Sequence, residues 1–413
     1  MRVYVPRAVR FAVHLPAAVL AIAVAIAGCG DSGGGEDTGS ATGTATPAGT
    51  VTATPRAERT GDIEQPRRAG RGSEADALKA LSVHADELAR DDQLSGAVLV
   101  AKDGRVLFRR AYGLAERKGR VPNTLRTRFR IGSMNKMFTA VAILQLVEAG
   151  KVKLNARLGA YLPDYPNREV ATKVTIHQLL THTGATGDIF GSDFDDHRQE
   201  LRALADYVKL YGRRELEYEP GSFWAYSNYG FILLGVVIER VTGQSYYDYV
   251  QEHIYARAGM TRSGSLPEAR AVSDRSIGYM KPPGTTTLVP NVDTLPYRGT
   301  SAGGGYATVG DLARFAHALL SHKLLGSDST RRLLAGKSEP LMESGVRYAY
   351  GFLDARRAGG NGWVGHGGGA PGMNGDLRIY PKSGYVVAVL TNLDPPAADQ
   401  ITEHLDRRLP PGR

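Results

Sequence analysis

The alternation of apolar and polar positions divides this chain into β-rich ends and a helical middle. Leu78, Leu81, Ala85 and Leu88 recur at helical spacing and predict a helix opening the folded part, which starts near Ser73. Residues 97–101 (AVLVA) read as a strand, Asp103-Gly104 as a tight turn, and Val106-Leu107-Phe108 as the returning strand of a hairpin. Towards the other end, 375–380 and 385–391 predict a second strand pair, joined by Pro381-Lys382-Ser383-Gly384, and 397–405 a closing helix. Between these ends the apolar spacing turns helical. Residues 134–148 are apolar on most faces and stop at Gly150, and 176–180, 229–242, 245–253 and 311–320 also read as helices. The pattern therefore predicts an α/β (α+β) fold: an antiparallel sheet built from both ends, flanked by helices, with an all-helical subdomain inserted at about 131–345. No internal repeat interrupts it.

Composition changes this picture only at the N-terminus. Across 413 residues, 42% hydrophobic and 23% charged content is ordinary for a soluble globular protein. The net charge is +9, and eight arginines lie before residue 72. It suits either anionic membranes and wall polymers or simply a basic leader. No basic stripe interleaved with aromatics points to nucleic acid. Arg2, Arg7 and Arg10 precede a short apolar run, 17–26, and then Ile26-Ala27-Gly28-Cys29. Cys29 is the single cysteine, so no intramolecular disulfide can form. Residues 30–72 are rich in Gly, Ser, Thr, Ala and Pro, end in Arg67, Arg68 and Arg71, and read as a disordered tether. No later segment is long and apolar enough to span a membrane.

The segment around Cys29 resembles the bacterial lipobox. That resemblance implies a signal peptide at 1–28, lipidation of Cys29, a tether at 29–73, and a folded domain at 74–406 held outside the cytoplasm on a lipid-anchored membrane surface. An ordinary cleaved signal with a chance cysteine is the alternative.

Three motifs carry candidate chemistry. Gly132-Ser133-Met134-Asn135-Lys136 stands where the chain enters a helix, so Lys136 shares a helix face with Ser133. Its neighbours Met137, Phe138 and Val141 imply burial, which lowers a lysine pKa and frees an amine able to take the serine proton. Alone, the tetrapeptide is better read as an N-cap serine and a solvated lysine. Trp224-Ala225-Tyr226-Ser227-Asn228 places a phenol and an amide on one turn before a helix. A nearby lysine would favour the Tyr226 phenolate as a base, and Asn228 can bind a substrate carbonyl or cap the helix. Val364-Gly365-His366-Gly367-Gly368-Gly369 ends a strand, and its glycines allow a substrate backbone close approach.

In this order and spacing the motifs resemble the serine β-lactamase and penicillin-binding-protein superfamily, which includes class C β-lactamases, D-alanyl-D-alanine carboxypeptidases and esterases of the same fold. The resemblance covers roughly 74–406. It extends to Thr175-Ile176-His177-Gln178-Leu179-Leu180-Thr181-His182-Thr183, Pro220-Gly221 and Gly305-Tyr306-Ala307-Thr308. It implies a serine hydrolase working through an acyl-enzyme, with Ser133 as nucleophile, Lys136 as its activating partner and Tyr226 as proton shuttle. Ser133 and Gly369 would supply the oxyanion amides, and Asn228, His366 and Gly368 would contact substrate. Implied substrates are D-amino-acid peptides or peptidoglycan stems, small esters, and β-lactams, with no cofactor, no metal and no nucleic acid, in a monomer. A β-lactamase proper, or a non-catalytic wall-binding lipoprotein on the same scaffold, is the alternative. His366 replaces a permanent cation and weakens the case for β-lactams, and Gly184-Ala185-Thr186 departs from the family's Ser-Gly-Leu.

Two further patterns compete. Gly299-Thr300-Ser301-Ala302-Gly303 matches the nucleophile elbow of another hydrolase fold but lacks the strand before and the helix after. His177 and His182 near Asp188, Asp193, Asp195 and Asp196 lack a metal-site spacing and suit local backbone bonding and a solvated loop. Trp224, Tyr229, Tyr306 and Trp363 lie beside the motifs as cleft lining or as core.

Overall fold

The computed structural model describes residues 72–412 apart from 340, 342–344 and 357–360. The leader at 1–28, Cys29 and the tether up to residue 71 lie outside the described residues. Helix α1 (Glu74–Arg90) opens on a capping box in which Ser73 and Asp76 satisfy each other's backbone amides. It buries Ala77, Leu81, Ala85 and Leu88, the stripe anticipated with Ala77 in place of Leu78. Strands β1 (Gly96–Lys102) and β2 (Arg105–Tyr112) follow as a hairpin. Asp103 and Gly104 both take positive φ at its tip, as a two-residue turn of this hand requires.

The chain next builds α2 (Asn135–Glu148), α3 (Asn228–Thr242) and α4 (Val309–Leu320), with shorter helices between them. Helix α2 is buried on nearly every face, as its lack of a polar stripe requires. The insertion also carries small two-stranded ladders, including Phe129–Arg130 with Tyr306–Ala307. The predicted helix at 245–253 is α-helical only over Tyr246–Val250 and widens to a π-helix at Gln251–Ala256.

The chain then returns to the sheet through β3 (Arg347–Tyr348), β4 (Leu353–Asp354), β5 (Val364–Ala370), β6 (Met373–Ile379) and β7 (Tyr385–Thr391), and closes with α5 (Ala397–Asp406). The sheet order is β2-β1-β7-β6-β5-β4-β3, antiparallel throughout. Strand β1 lies directly beside β7, Gly96 opposite Thr391, so the two ends of the domain are stitched together.

Alternation along the central strands buries both faces. Ala97, Leu99 and Ala101 face the helical insertion, while Val98 and Val100 face α1 and α5 behind the sheet. The site sits on the insertion side, where β4 covers only Val364 and Gly365. From His366 onward the β5 edge is left open to the turn that leads into α2. Among the described residues, no helix is long and apolar enough to cross a membrane.

Candidate active site

Ser133 stands in the 3-10 turn Gly132–Met134 that runs straight into α2. Gly132 has φ +51°, a conformation that favours glycine. The turn is held from two sides. Gly304 N donates to Gly132 O (3.1 Å) and Ile131 N to Gly305 O (3.3 Å) from the 299–305 loop. On the other side lies β5. A Cβ on Gly368 would fall 2.1 Å from Ile131 O and 3.1 Å from Ser133 N, and a Cβ on Gly132 would fall 3.3 Å from Gly369 N. Glycine is therefore required at 368 for close packing, a role more definite than a flexible substrate contact. The Gly369 amide nitrogen lies against the serine turn. The Ser133 amide is at a helix start, where N–H groups lack intrahelical acceptors.

Lys136 is wholly buried. Its Nζ lies 3.2 Å from Ser133 Oγ, and donates to Asn228 Oδ1 (2.7 Å) and to Ala302 O (2.5 Å). Burial pulls its pKa from 10.5 down to about 7, against a smaller opposing pull from Asp188. A neutral amine has two N–H groups and one lone pair. With both N–H groups directed to Asn228 and Ala302, the lone pair is left for the Ser133 hydroxyl. The arrangement can therefore accept the serine proton without any rearrangement.

The Tyr226 ring centroid is 4.6 Å from Lys136 Nζ. Burial raises the Tyr226 pKa well above its usual value; Ser133 offsets part of that rise and Asp188 adds to it. The expected stabilised phenolate is thus reversed: desolvation of the phenolate outweighs a lysine that is itself half neutral near pH 7. Tyr226 is a phenol, a proton donor. Its hydroxyl is buried and faces Ser133 without a fully formed hydrogen bond.

Asn228 is held more tightly than a free substrate contact. Asp188 accepts from both its backbone N (2.8 Å) and its Nδ2 (3.1 Å), while its Oδ1 accepts from Lys136. One amide hydrogen remains to meet a substrate. The cap of α3 is Ser227, whose Oγ accepts from Gly230 N (2.9 Å). Asp188, expected on a solvated loop, instead anchors the site.

His366 is buried. Its Nδ1 is 2.5 Å from Gly367 O, a pure acceptor, so the proton sits on Nδ1. Its Nε2 is then an acceptor for Tyr348 Oη, 3.1 Å away. Burial, and then the nearby Lys136 charge, lower its pKa to about 3, with the Gly367 carbonyl opposing weakly. His366 is therefore neutral and provides no cation for a substrate carboxylate. Tyr348, fully buried against Trp224 and His182, was missed because a tyrosine in a two-residue strand carries no motif.

Other candidates are not brought together. Ser301 is fully buried, lies in a loop, and packs over Gly235 of α3, where a Cβ would come within 2.3 Å of its Oγ. No helix follows it, so it is not an elbow. Instead its loop presents carbonyls inward: Thr300 O to Asn135 Nδ2, Ser301 O to Thr139, and Ala302 O to Lys136. His177 Nδ1 pairs with Tyr350 Oη (2.7 Å), and Asp193 with Arg214 (3.0 Å). Tyr229 is core, its hydroxyl on that of Tyr165. Tyr306 is buried in the ladder beside the turn, and Trp363 lies behind the sheet under Arg378. Only Trp224 of the four aromatics joins the cluster around Tyr226.

Comparison with known proteins bears on the family and the fold. The family model described as Beta-lactamase matches residues 82–409. Penicillin-binding protein 4 of Amycolatopsis lactamdurans is 31% identical over 322 residues, 74% of this chain and 83% of that protein. A penicillin binding protein from Bacillus halodurans superposes with a TM-score of 0.71 at 34% identity, covering 78% of this chain and 98% of the other. A D-stereospecific amidohydrolase from Streptomyces sp. does so with a TM-score of 0.66 at 27% identity, covering 79% and 98%. Hydrolases thus stand among its structural neighbours, and the chain itself belongs to the beta-lactamase family.

Proposed function

We propose that this protein is a serine acyl hydrolase acting through Ser133 on D-amino-acid peptides and amides and on small esters. The observation that carries the reading is the buried Lys136 Nζ, which lies 3.2 Å from Ser133 Oγ and is held by Asn228 Oδ1 and Ala302 O. In the first half-reaction Ser133 Oγ bonds to the substrate carbonyl carbon as its proton passes to Lys136. The Ser133 and Gly369 amides receive the oxyanion. On collapse the carbon–leaving-group bond breaks, Tyr226 gives its proton to the departing amine or alkoxide, and Lys136 returns one to Tyr226. Water then repeats the sequence on the ester and releases the acid. Tyr226 suits the donor role because it is protonated at neutral pH.

The composition of β5 supports this substrate class. His366 is neutral, and Gly367, Gly368 and Gly369 have no hydroxyl, so this edge offers neither charge nor side-chain donor to a free carboxylate. That favours carboxyl-blocked peptides, amides and esters over β-lactams. The name of the Streptomyces neighbour, a D-stereospecific amidohydrolase, supports the same class. Hydrolysis of a D-amino-acid amide, a D-Ala-D-Ala peptide with free and with blocked carboxylate, a p-nitrophenyl ester and a chromogenic cephalosporin tests it. The amide, ester and blocked peptide are expected to turn over fastest. A cephalosporin turned over best would refute the substrate class, and no turnover of any compound by folded protein would refute the enzyme.

We further propose that Cys29 carries lipid and holds the domain outside the cytoplasm on its tether. Cys29→Ser is expected to move the protein from the membrane fraction to the soluble one on cell fractionation. An unchanged distribution would refute lipidation.

A further inference from the structure

His182 lies outside the reacting set yet touches the Tyr226 loop at three points. Its carbonyl accepts from Ala225 N (3.0 Å) and its Nδ1 from Ser227 N (3.1 Å), the residues on either side of Tyr226. Its ring packs 4.4 Å from the Tyr226 ring, tilted by 36°. The residue is 1% exposed and takes φ +60°, a left-handed conformation uncommon for a side chain of this size. A strained conformation persists only where its surroundings hold it, and such positions concentrate at functional sites.

The imidazole's protonation is also fixed. A backbone N–H can only donate, so Nδ1 is an acceptor and the neutral ring carries its proton on Nε2. That Nε2 is buried without a hydrogen-bond partner among the described residues. The titratable groups around the ring are Lys136 on α2, Tyr226 on its own loop, Tyr348 on β3 and His366 on β5. Burial opposes a charge on His182 most strongly, followed by Lys136 and His366. The ring also packs on Trp224 and on Phe231, whose own ring centroid lies 5.5 Å from Lys136 Nζ.

We propose that His182 is a positioning residue, one that fixes Tyr226 against Ser133 and keeps water from Lys136 while touching neither substrate nor the reacting atoms. The proposal rests on the reading of Ser133 and Lys136 as the reacting pair. His182→Asn is the informative substitution. Asparagine tolerates the left-handed backbone, and its Oδ1 can replace Nδ1 as acceptor for Ser227 N, but the ring is lost.

Rates of fluorophosphonate labelling are measured between about pH 5.5 and 9 for wild type and variant, beside thermal melts. The variant is expected to label at least roughly tenfold more slowly near pH 7, with its acidic limb moved up by about one pH unit or more as Lys136 becomes wetter. A limb at the wild-type position, with a rate within about threefold, marks a merely structural role and overturns the proposal. Should the variant lose its melting transition, the wild type still decides. In a ¹⁵N-histidine spectrum His182 must remain neutral and protonated on Nε2 throughout that range, and titration near its ordinary value overturns the proposal. Failure of the underlying reading looks different: wild type would not label, or Ser133→Ala would.

Discussion

Ser133→Ala is expected to lower kcat/KM for a p-nitrophenyl ester by about 10⁴-fold or more, with the melting temperature little changed. On the proposed mechanism the size follows from losing the covalent route altogether, since among the described residues no other hydroxyl takes the Ser133 position. Ser301 is buried in a loop behind it, and Tyr226 is held as a phenol. The fold should survive because Ser133 is only half-buried and its side chain bonds to Lys136 alone among the bonds described. Residual hydrolysis would come from the oxyanion amides acting on bound water. An ester hydrolysed within about tenfold of the wild-type rate would place the nucleophile elsewhere.

Lys136→Met has the second largest expected effect, a loss of about 10³-fold in kcat/KM, within the range of general-base catalysis. Methionine matches the buried stem and removes the amine. The wild-type acidic limb should fall near pH 7, because the proposed mechanism requires the neutral amine and burial brings its pKa down to about 7. In Lys136→Met that limb should vanish. The same residue affects stability with a definite sign. Between about pH 7 and 10.5 the unfolded lysine keeps a proton that the folded one has released. The unfolded state thus binds more protons, and Lys136 makes stability rise with pH across that window. Melting temperatures of wild type and Lys136→Met should diverge in slope there. Parallel slopes together with an unmoved acidic limb would show that the limb belongs to another group.

Much of the fold is legible in the sequence because its signals are local. Asp103-Gly104 can hardly be anything but a hairpin tip, and the apolar run into Gly150 makes α2 a buried helix ending at a left-handed glycine. The pairing of β1 with β7 is less local, yet both runs lack a polar face and so must lie in the middle of one sheet.

The site is legible only in part. Ser133 and Lys136 sit three residues apart on one helix entry, and their contact follows from helix geometry. Asp188 could not be found that way. It reaches Asn228 only because the 184–190 loop folds back across a separation of 40 residues. The Ala302 carbonyl that orients Lys136 has no side-chain signature at all, and the segment around it imitates a different hydrolase motif. The ionisation of Tyr226 and His366 was equally hidden. Each depends on how completely the surrounding chain excludes water, and burial reverses what the neighbouring lysine alone suggests for the tyrosine.

The central claim is that the reactive hydroxyl belongs to Ser133. Reaction with a fluorophosphonate probe, followed by peptide mapping by mass spectrometry, locates the adduct directly. The adduct should lie on Ser133, disappear in Ser133→Ala and persist in Ser301→Ala. An adduct on Ser301, or labelling retained in Ser133→Ala, would contradict it.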